Sequence, residues 1–341
     1  MKKTVPIDDA VGMVLPHDIT EIVKGEFKGR AFKKGHVIRA EDVDHLKRLG
    51  KEHIYVLKLG PNEIHENEAA QILASALSGP GCMLSSEPVE GKISLLAAHD
   101  GLLKINEEAL YQFNLLGEVM CATLQTNTPV KKGETIAATR LIPLVSDRSI
   151  VLKAAQIATA SSPVVAVKIL RKARVSLIIT GNEVFHGRIE DKFENVLRDK
   201  LDKLGSEVIS VTFAPDDIDT IGEAITNAIG AGAELVITSG GMSVDPDDVT
   251  RMGIEKAGAT DCYYGTPVLP GAMFLSGHIG DIPVLGLPAC GMFHSITIFD
   301  LILPRILTRE PIGREEFARM GHGGLCRNCK HCQYPVCSFG K

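Results

Sequence analysis

From about residue 173 onward, apolar and polar positions alternate between two kinds of run. Residues 175–179 and 235–238 are short, nearly continuous and rich in β-branched side chains, the pattern of strands buried on both faces. Between them Leu197, Leu201 and Leu204 recur at helical spacing up to Gly205, and Ile221, Ala224, Ile225 and Ala228 do so within 219–231. Residues 207–211 and 283–288 read as further strands, and 292–307 as a closing helix that ends near Pro311. Strands alternating with helices of this length predict βαβ units. The expected fold is α/β: a three-layer α/β/α domain over 173–312 with a mainly parallel sheet and helices on both faces.

The first half of the chain is patterned differently. Residues 11–19 and 33–38 look like short strands broken by Gly and Pro. A helix over 40–49 places Val43, Leu46 and Leu49 on one face before Gly50, and 54–57 is another strand. Residues 1–60 therefore read as a small β-rich unit. A second one, 61–147, opens with a helix at 66–77 and a Ser-Gly-Pro-Gly break at 78–81. Brief strands such as 91–96 and a β-turn-β element at 128–137 follow. No catalytic constellation stands out there, and His99-Asp100 reads as a turn. Residues 148–172 read as a linker with a helix around 151–159, and 313–341 as a glycine hinge (321–324) leading to a cysteine-rich tail.

Composition narrows the picture. With 341 residues the chain exceeds one typical domain. Trp is absent and aromatics make up 5%, so the cores must be built from Ile, Leu, Val and Ala. A net charge of −5 argues against a nucleic-acid-binding surface, which needs clustered Lys and Arg. The start has two lysines but no following apolar stretch of a secretory signal, and no run of about 18 apolar residues suggests a membrane span. The expectation is a cytoplasmic protein with no membrane and no nucleic-acid partner.

In an open parallel sheet, ligands bind beyond the carboxyl ends of the strands. Three such loops carry suggestive residues: Thr180-Gly181-Asn182-Glu183; Ser239-Gly240-Gly241-Met242-Ser243 leading to Asp245, Asp247 and Asp248; and Pro288-Ala289-Cys290-Gly291. In the middle loop, adjacent glycines let the backbone approach a bulky anion, and a helix expected to begin near 246–248 would add free amides. Three carboxylates beside a phosphate repel it unless a divalent cation intervenes, which points to a magnesium-nucleotide or a phosphate-bearing cofactor. The plainer reading makes Gly240-Gly241 a turn and Asp245 or Asp247 a helix cap.

Taken in order, Thr180-Gly181-Asn182-Glu183, Gly187-Arg188-Ile189-Glu190-Asp191, Asp216-Asp217, Ser239-Gly240-Gly241-Met242-Ser243 and Asp248-Val249-Thr250 resemble the molybdopterin-binding domain. That domain is shared by molybdopterin adenylyltransferases, molybdopterin molybdenumtransferases and competence-damage-type proteins. Stretches of 1–60 also resemble parts of the molybdenumtransferase. The resemblance implies molybdopterin as ligand, with Mg2+ and either ATP in adenylyl transfer or molybdate in metal insertion. It further implies a homo-oligomer working with other cofactor-biosynthesis proteins or molybdoenzymes. Asp248 becomes the first candidate for metal positioning or phosphoryl-transfer chemistry, followed by Asp217 and Glu183. Thr180, Gly181, Ser239, Gly240, Gly241, Ser243, Asp245 and Pro288 would hold the cofactor. Two departures weaken catalysis more than binding: Leu287-Pro288-Ala289-Cys290 replaces Leu-Pro-Gly-Asn, and Asp191-Lys192-Phe193 replaces Asp-Thr-Asn or Asp-Ser-Asn. A binding-only carrier or sensor is the competing reading.

Four of the eight cysteines, Cys326, Cys329, Cys332 and Cys337, crowd the last sixteen residues as C-x2-C-x2-C-x4-C. In a reducing compartment such crowding points to Zn2+ or an iron–sulfur cluster. The spacing matches neither paired zinc knuckles nor a ferredoxin run in full.

Overall fold

The computed structural model describes residues 2–23, 27–57, 59–160 and 163–340. The chain divides into two units: residues 1–99, 103–124 and 130–167 form the first, and residues 100–102, 125–129 and 168–341 the second.

In the first unit, Lys2–Pro6 pairs antiparallel with His53–Leu57, and Ile19–Val23 pairs with Phe27–Phe32. With the helix Asp42–Arg48 these elements enclose Ile7, Leu15, Ile38, Leu46 and Ile54. Further on, Cys82–Leu84, Lys92–Ala97, Thr135–Leu141 and Val119–Thr123 form an antiparallel sheet in that order. The helix Glu66–Leu77 sinks Ala69, Ala70, Leu73, Ala74 and Leu77 into the core. The helix Arg148–Thr159 adds Val151, Ala154 and Ala158 to the same core. Much of the stretch read as a linker is thus a packed element, its apolar stripe already spoken for.

The second unit carries a six-stranded sheet. We label its strands β1 (Arg174–Thr180), β2 (Glu207–Ala214), β3 (Leu235–Ser239), β4 (Thr260–Tyr264), β5 (Leu275–Ile279) and β6 (Ile282–Leu287). Its helices are α1 (Asn182–Phe185), α2 (Phe193–Lys203), α3 (Ile218–Gly230), α4 (Thr250–Lys256), α5 (Ile298–Leu307) and α6 (Arg314–Arg319). Strand order is β2-β1-β3-β6-β5-β4; the first three pairings are parallel and the last two antiparallel. The sequence pattern did not resolve β4, which has no buried residue, or β5, in which Ser276, Gly277 and His278 interrupt any apolar run.

The period of two along each strand explains the three layers. Val175, Leu177, Ile179, Leu235, Ile237, Leu285 and Leu287 meet Phe193, Leu197 and Leu201 of α2 and Ile298, Ile302 and Ile306 of α5. The intervening Ile178, Val236 and Val284 meet Ile221 and Ile225 of α3 and Ile254 of α4 on the other face. Helix α5 begins at Ile298 rather than near 292. Thr297 Oγ1 accepts from Phe299 N at 3.2 Å and Asp300 accepts from Thr297 N at 2.8 Å, fixing the start there. Among the described residues no helix is long and apolar enough to cross a membrane.

Candidate functional site

Chain direction locates the site before any side chain is considered. The chain leaves β1 toward α2 on one face, and it leaves the neighbouring strand β3 toward α4 on the other. Two adjacent parallel strands whose exits diverge leave a crevice at their carboxyl ends. A pocket of about 790 Å³ occupies that end of the sheet, lined by the loops after β1, β3 and β6, by 269–273 and by 325–328.

The β3–α4 loop owes its course to its glycines. Gly240 and Gly241 have φ of +93° and +56°, the left-handed region. A Cβ on Gly240 would stand 2.4 Å from the Thr180 carbonyl oxygen, and one on Gly241 2.2 Å from Thr250 Oγ1. The close approach lets Thr180 Oγ1 donate to the Ser239 carbonyl (3.1 Å) and accept from Thr250 Oγ1 (2.8 Å), so three elements are tied at one buried point. Asp248 Oδ2 accepts from Ser243 N at 2.9 Å, closing the loop on itself. Ser239 Oγ is buried and has no protein partner. Helix α4 starts at Thr250, not at 246–248, and Asp245 to Asp248 form turns before it. The expected helix amides therefore lie further along the chain than the pattern suggested.

The sequence candidates separate on this frame. Thr180, Glu183, Gly240, Gly241, Ser243, Asp248 and Pro288 line the pocket; Gly181, Ser239, Asp245 and Asp217 do not. Asp217 caps α3, accepting from Thr220 N at 2.8 Å and Thr220 Oγ1 at 2.7 Å, and these bonds hold its carboxyl below the usual range. Its neighbour Asp216 is the more informative group. It accepts from Asn182 N at 2.9 Å, while its own N–H donates to Asn182 Oδ1 at 3.3 Å, clamping the β1 and β2 loops together. Burial pushes the Asp216 carboxyl up against the pull of the Asn182 amide, and Glu183, Asp248 and Asp247 push it further. Nothing in the dipeptide Asp216-Asp217 tells which carboxylate caps and which faces the acids. Asp191 caps α2 through Phe193 N and Glu194 N, both at 2.9 Å.

The pocket wall is acidic: Glu183, Glu190, Asp191 and Asp248 face it, and Lys192 is the sole Lys or Arg among the lining residues. Among the described residues, no three His, Cys, Asp or Glu side chains come close enough together to hold a metal ion.

The tail supplies a wall that the sequence did not foretell. Leu269 N donates to the Gly324 carbonyl and Cys326 N to the Leu269 carbonyl, both at 2.8 Å, which places Leu325 and Cys326 at the pocket edge. A Cβ on Gly324 would lie 2.4 Å from the Met320 carbonyl oxygen, so this glycine serves close packing where a flexible hinge was expected. Cys326, Cys329, Cys332 and Cys337 all line a second cavity of about 300 Å³. The side chain of Cys290 lies outside the described ones.

Residues 176–308 match a family described as "Probable molybdopterin binding domain", and residues 4–58 match a domain of unknown function. Over 231 residues the chain is 26% identical to a molybdopterin molybdenumtransferase of Haemophilus influenzae, covering 64% of this chain and 53% of that protein. It is 30% identical over 132 residues to a CinA-like protein of Amoebophilus asiaticus, covering 38% of this chain and 30% of that one. The chain thus spans about half the length of the first relative and less than a third of the second. A solved structure of the molybdopterin biosynthesis Mog protein from Mycobacterium ulcerans aligns with TM-score 0.34 and 21% identity, over 39% of this chain and 94% of that one.

Proposed function

We propose that this chain, whose residues 176–308 match the family described as "Probable molybdopterin binding domain", binds molybdopterin in the pocket at the ends of β1, β3 and β6 as a molybdenum-cofactor biosynthesis protein. The observation that carries the reading is the crevice of about 790 Å³ with Gly240, Gly241, Ser243 and Thr180 on its wall. The glycine loop presents backbone rather than side chains to a bulky ligand, and the unpartnered Ser239 Oγ lies at its root. Lys192 and His294 add basic side chains that could meet a phosphate.

Two finer readings follow. In the enzyme reading, the domain performs adenylyl transfer from ATP or molybdate insertion, in a cytoplasmic homo-oligomer that serves molybdoenzymes. The acidic wall then needs Mg2+ held by one or two carboxylates, Asp248 and Glu183, together with ligand phosphates. The described residues offer no fuller protein cage for the ion. In the carrier reading, binding is the whole activity. Asp217 is taken up by its helix cap and lies off the pocket, and Pro288-Ala289-Cys290 departs from the family's Leu-Pro-Gly-Asn loop, which favour the carrier.

Oxidative conversion of any pterin in the purified protein to its fluorescent form tests binding; absence of pterin, even after incubation with molybdopterin, overturns it. Turnover of molybdopterin with magnesium-ATP, or of adenylylated molybdopterin with molybdate, selects the enzyme. Bound pterin with no turnover in either assay selects the carrier.

A further inference from the structure

We propose that the His65 imidazole is a proton-operated latch that ties the N-terminal segment of the first unit to the helix Glu66–Leu77 when neutral and releases it when protonated. The unit holds two apolar cores with no residue in common: one gathers Ile7, Leu15, Leu46 and Ile54, the other Ile64, Leu73, Leu95 and Leu141. Hydrogen bonds link the two segments through a short polar seam. Lys34 Nζ donates to His65 Nδ1 at 2.9 Å, His65 Nε2 donates to the Pro16 carbonyl at 2.7 Å, and Glu90 N donates to Asp18 Oδ2 at 3.2 Å. Thr20 Oγ1 donates to the Glu90 carboxylate as well. His65 and Glu66 are each only 6% exposed, so water is largely kept from the seam where it meets the helix. Buried polar contacts hold only while donors face acceptors.

The partners of His65 fix its protonation state. A backbone carbonyl only accepts, so Nε2 carries the hydrogen that reaches Pro16. Nδ1 then offers its lone pair, which meets Lys34 Nζ and, at 3.1 Å, Asn67 N in the first turn of the helix. An added proton can go only to Nδ1. There it removes the acceptor of both bonds, uncaps the helix and sets an imidazolium nitrogen 2.9 Å from the Lys34 ammonium. Lys34 and His17 oppose that charge; Glu68 favours it but is itself paired with Arg148. Asp18 and Glu66, near Lys34, are met by Arg30 and Arg140, and Asp147 on the paired strand caps the helix Arg148–Thr159. Burial and Lys34 lower the His65 pKa from its ordinary 6.5, so the latch is closed above that value and opens as pH falls through the lowered one.

The test follows the full chain by nuclear magnetic resonance from neutral to acidic pH. Imidazole nitrogen shifts should report His65 as the Nε2–H tautomer at neutral pH, titrating below 6.5. The amides of Asn67 and Glu90, corrected for the intrinsic pH dependence of exchange, should lose protection about tenfold with the same midpoint, while those of Leu46 and Leu95 in the two cores keep theirs. His65→Gln retains an N–H for Pro16 and cannot titrate, so its seam should stay protected throughout; His17→Gln should leave the wild-type response in place. Lys34→Met removes the repelling charge and should move the midpoint to higher pH. Acid opening while His65 stays neutral, opening that persists in His65→Gln, or a seam that stays closed as His65 titrates overturns the proposal. So does Lys34→Met protein that is looser at every pH with an unmoved midpoint. Should His65→Gln not fold, the wild-type titration and Lys34→Met decide.

Discussion

Each unit gathers a set of charged groups, and the two sets are wired in opposite ways. In the N-terminal unit the groups answer one another. Lys34 Nζ donates to His65 Nδ1 at 2.9 Å, and His65 Nε2 donates to the Pro16 carbonyl at 2.7 Å. Glu66 accepts from Arg140 at 3.2 Å, and Asp18 accepts from Arg30, Lys34 N and Glu90 N. In the α/β unit, Glu183, Glu190 and Asp248 share a pocket wall with a single Lys192, and Asp216 titrates high because burial and like charges press on it. A polar network whose anions are met by cations specifies architecture, even where one atom, His17 Nδ1, is buried without a partner. One with surplus charge in a cleft leaves work for a ligand.

The largest expected effect comes from filling the glycine loop. Gly241→Ala combines a positive φ with a Cβ 2.2 Å from Thr250 Oγ1, so the loop must shift off β1. The cost to the α/β unit should be about 2–4 kcal/mol, read by denaturant unfolding. Pterin affinity should fall more than tenfold. Unchanged affinity would show that the loop is architecture in the same sense as the N-terminal network.

Acid should act on the other side of the comparison. Burial lowers the pKa of His17, helped by Lys51, and of His65, helped by Lys34. A base depressed in the folded state contributes stability that is present above its unfolded value of 6.5 and lost as pH falls through the folded one. Hydrogen-exchange protection of Glu66–Leu77 should therefore drop as pH falls below 6.5. Protection of β1, which contains no titratable side chain in its buried stretch, should change less. Equal losses in both segments would mean that the N-terminal network is not what acid attacks.

How much of this was readable in advance follows the same division. The sheet was legible because burial on both faces forces long apolar runs such as 175–179, and the crevice followed from the order of the loops. The edge strand β4 and its neighbour β5 were not: β4 has no buried residue, and β5 carries Ser276, Gly277 and His278 where an apolar run would show. The Arg148–Thr159 helix showed its apolar stripe but not the partner that stripe would meet. Gly321–Gly324 suggested freedom, yet a missing side chain serves close approach equally well, and only the Leu269 pairing decides between them. The two aspartates 216 and 217 are chemically identical in sequence; a helix start one residue away gives them different tasks.

The smallest expected effect is the most direct measure of the surplus charge. Asp216→Asn keeps an oxygen for Asn182 N and removes the negative charge. If the acidic wall opposes a phosphate-bearing ligand, the variant should bind it about threefold more tightly near neutral pH, a difference of about 0.6 kcal/mol that suits a partly screened charge. The wild-type carboxyl, being raised, takes up its proton as pH falls through the upper carboxylate range, so wild-type affinity should climb toward that of the variant there. The phosphate of the ligand also titrates, with a second pKa near about 6. That change is common to both proteins, and the ratio of their affinities isolates Asp216. A ratio that stays near one at every pH would mean that a cation already neutralises the wall, which would move the magnesium reading ahead of an uncompensated acidic pocket.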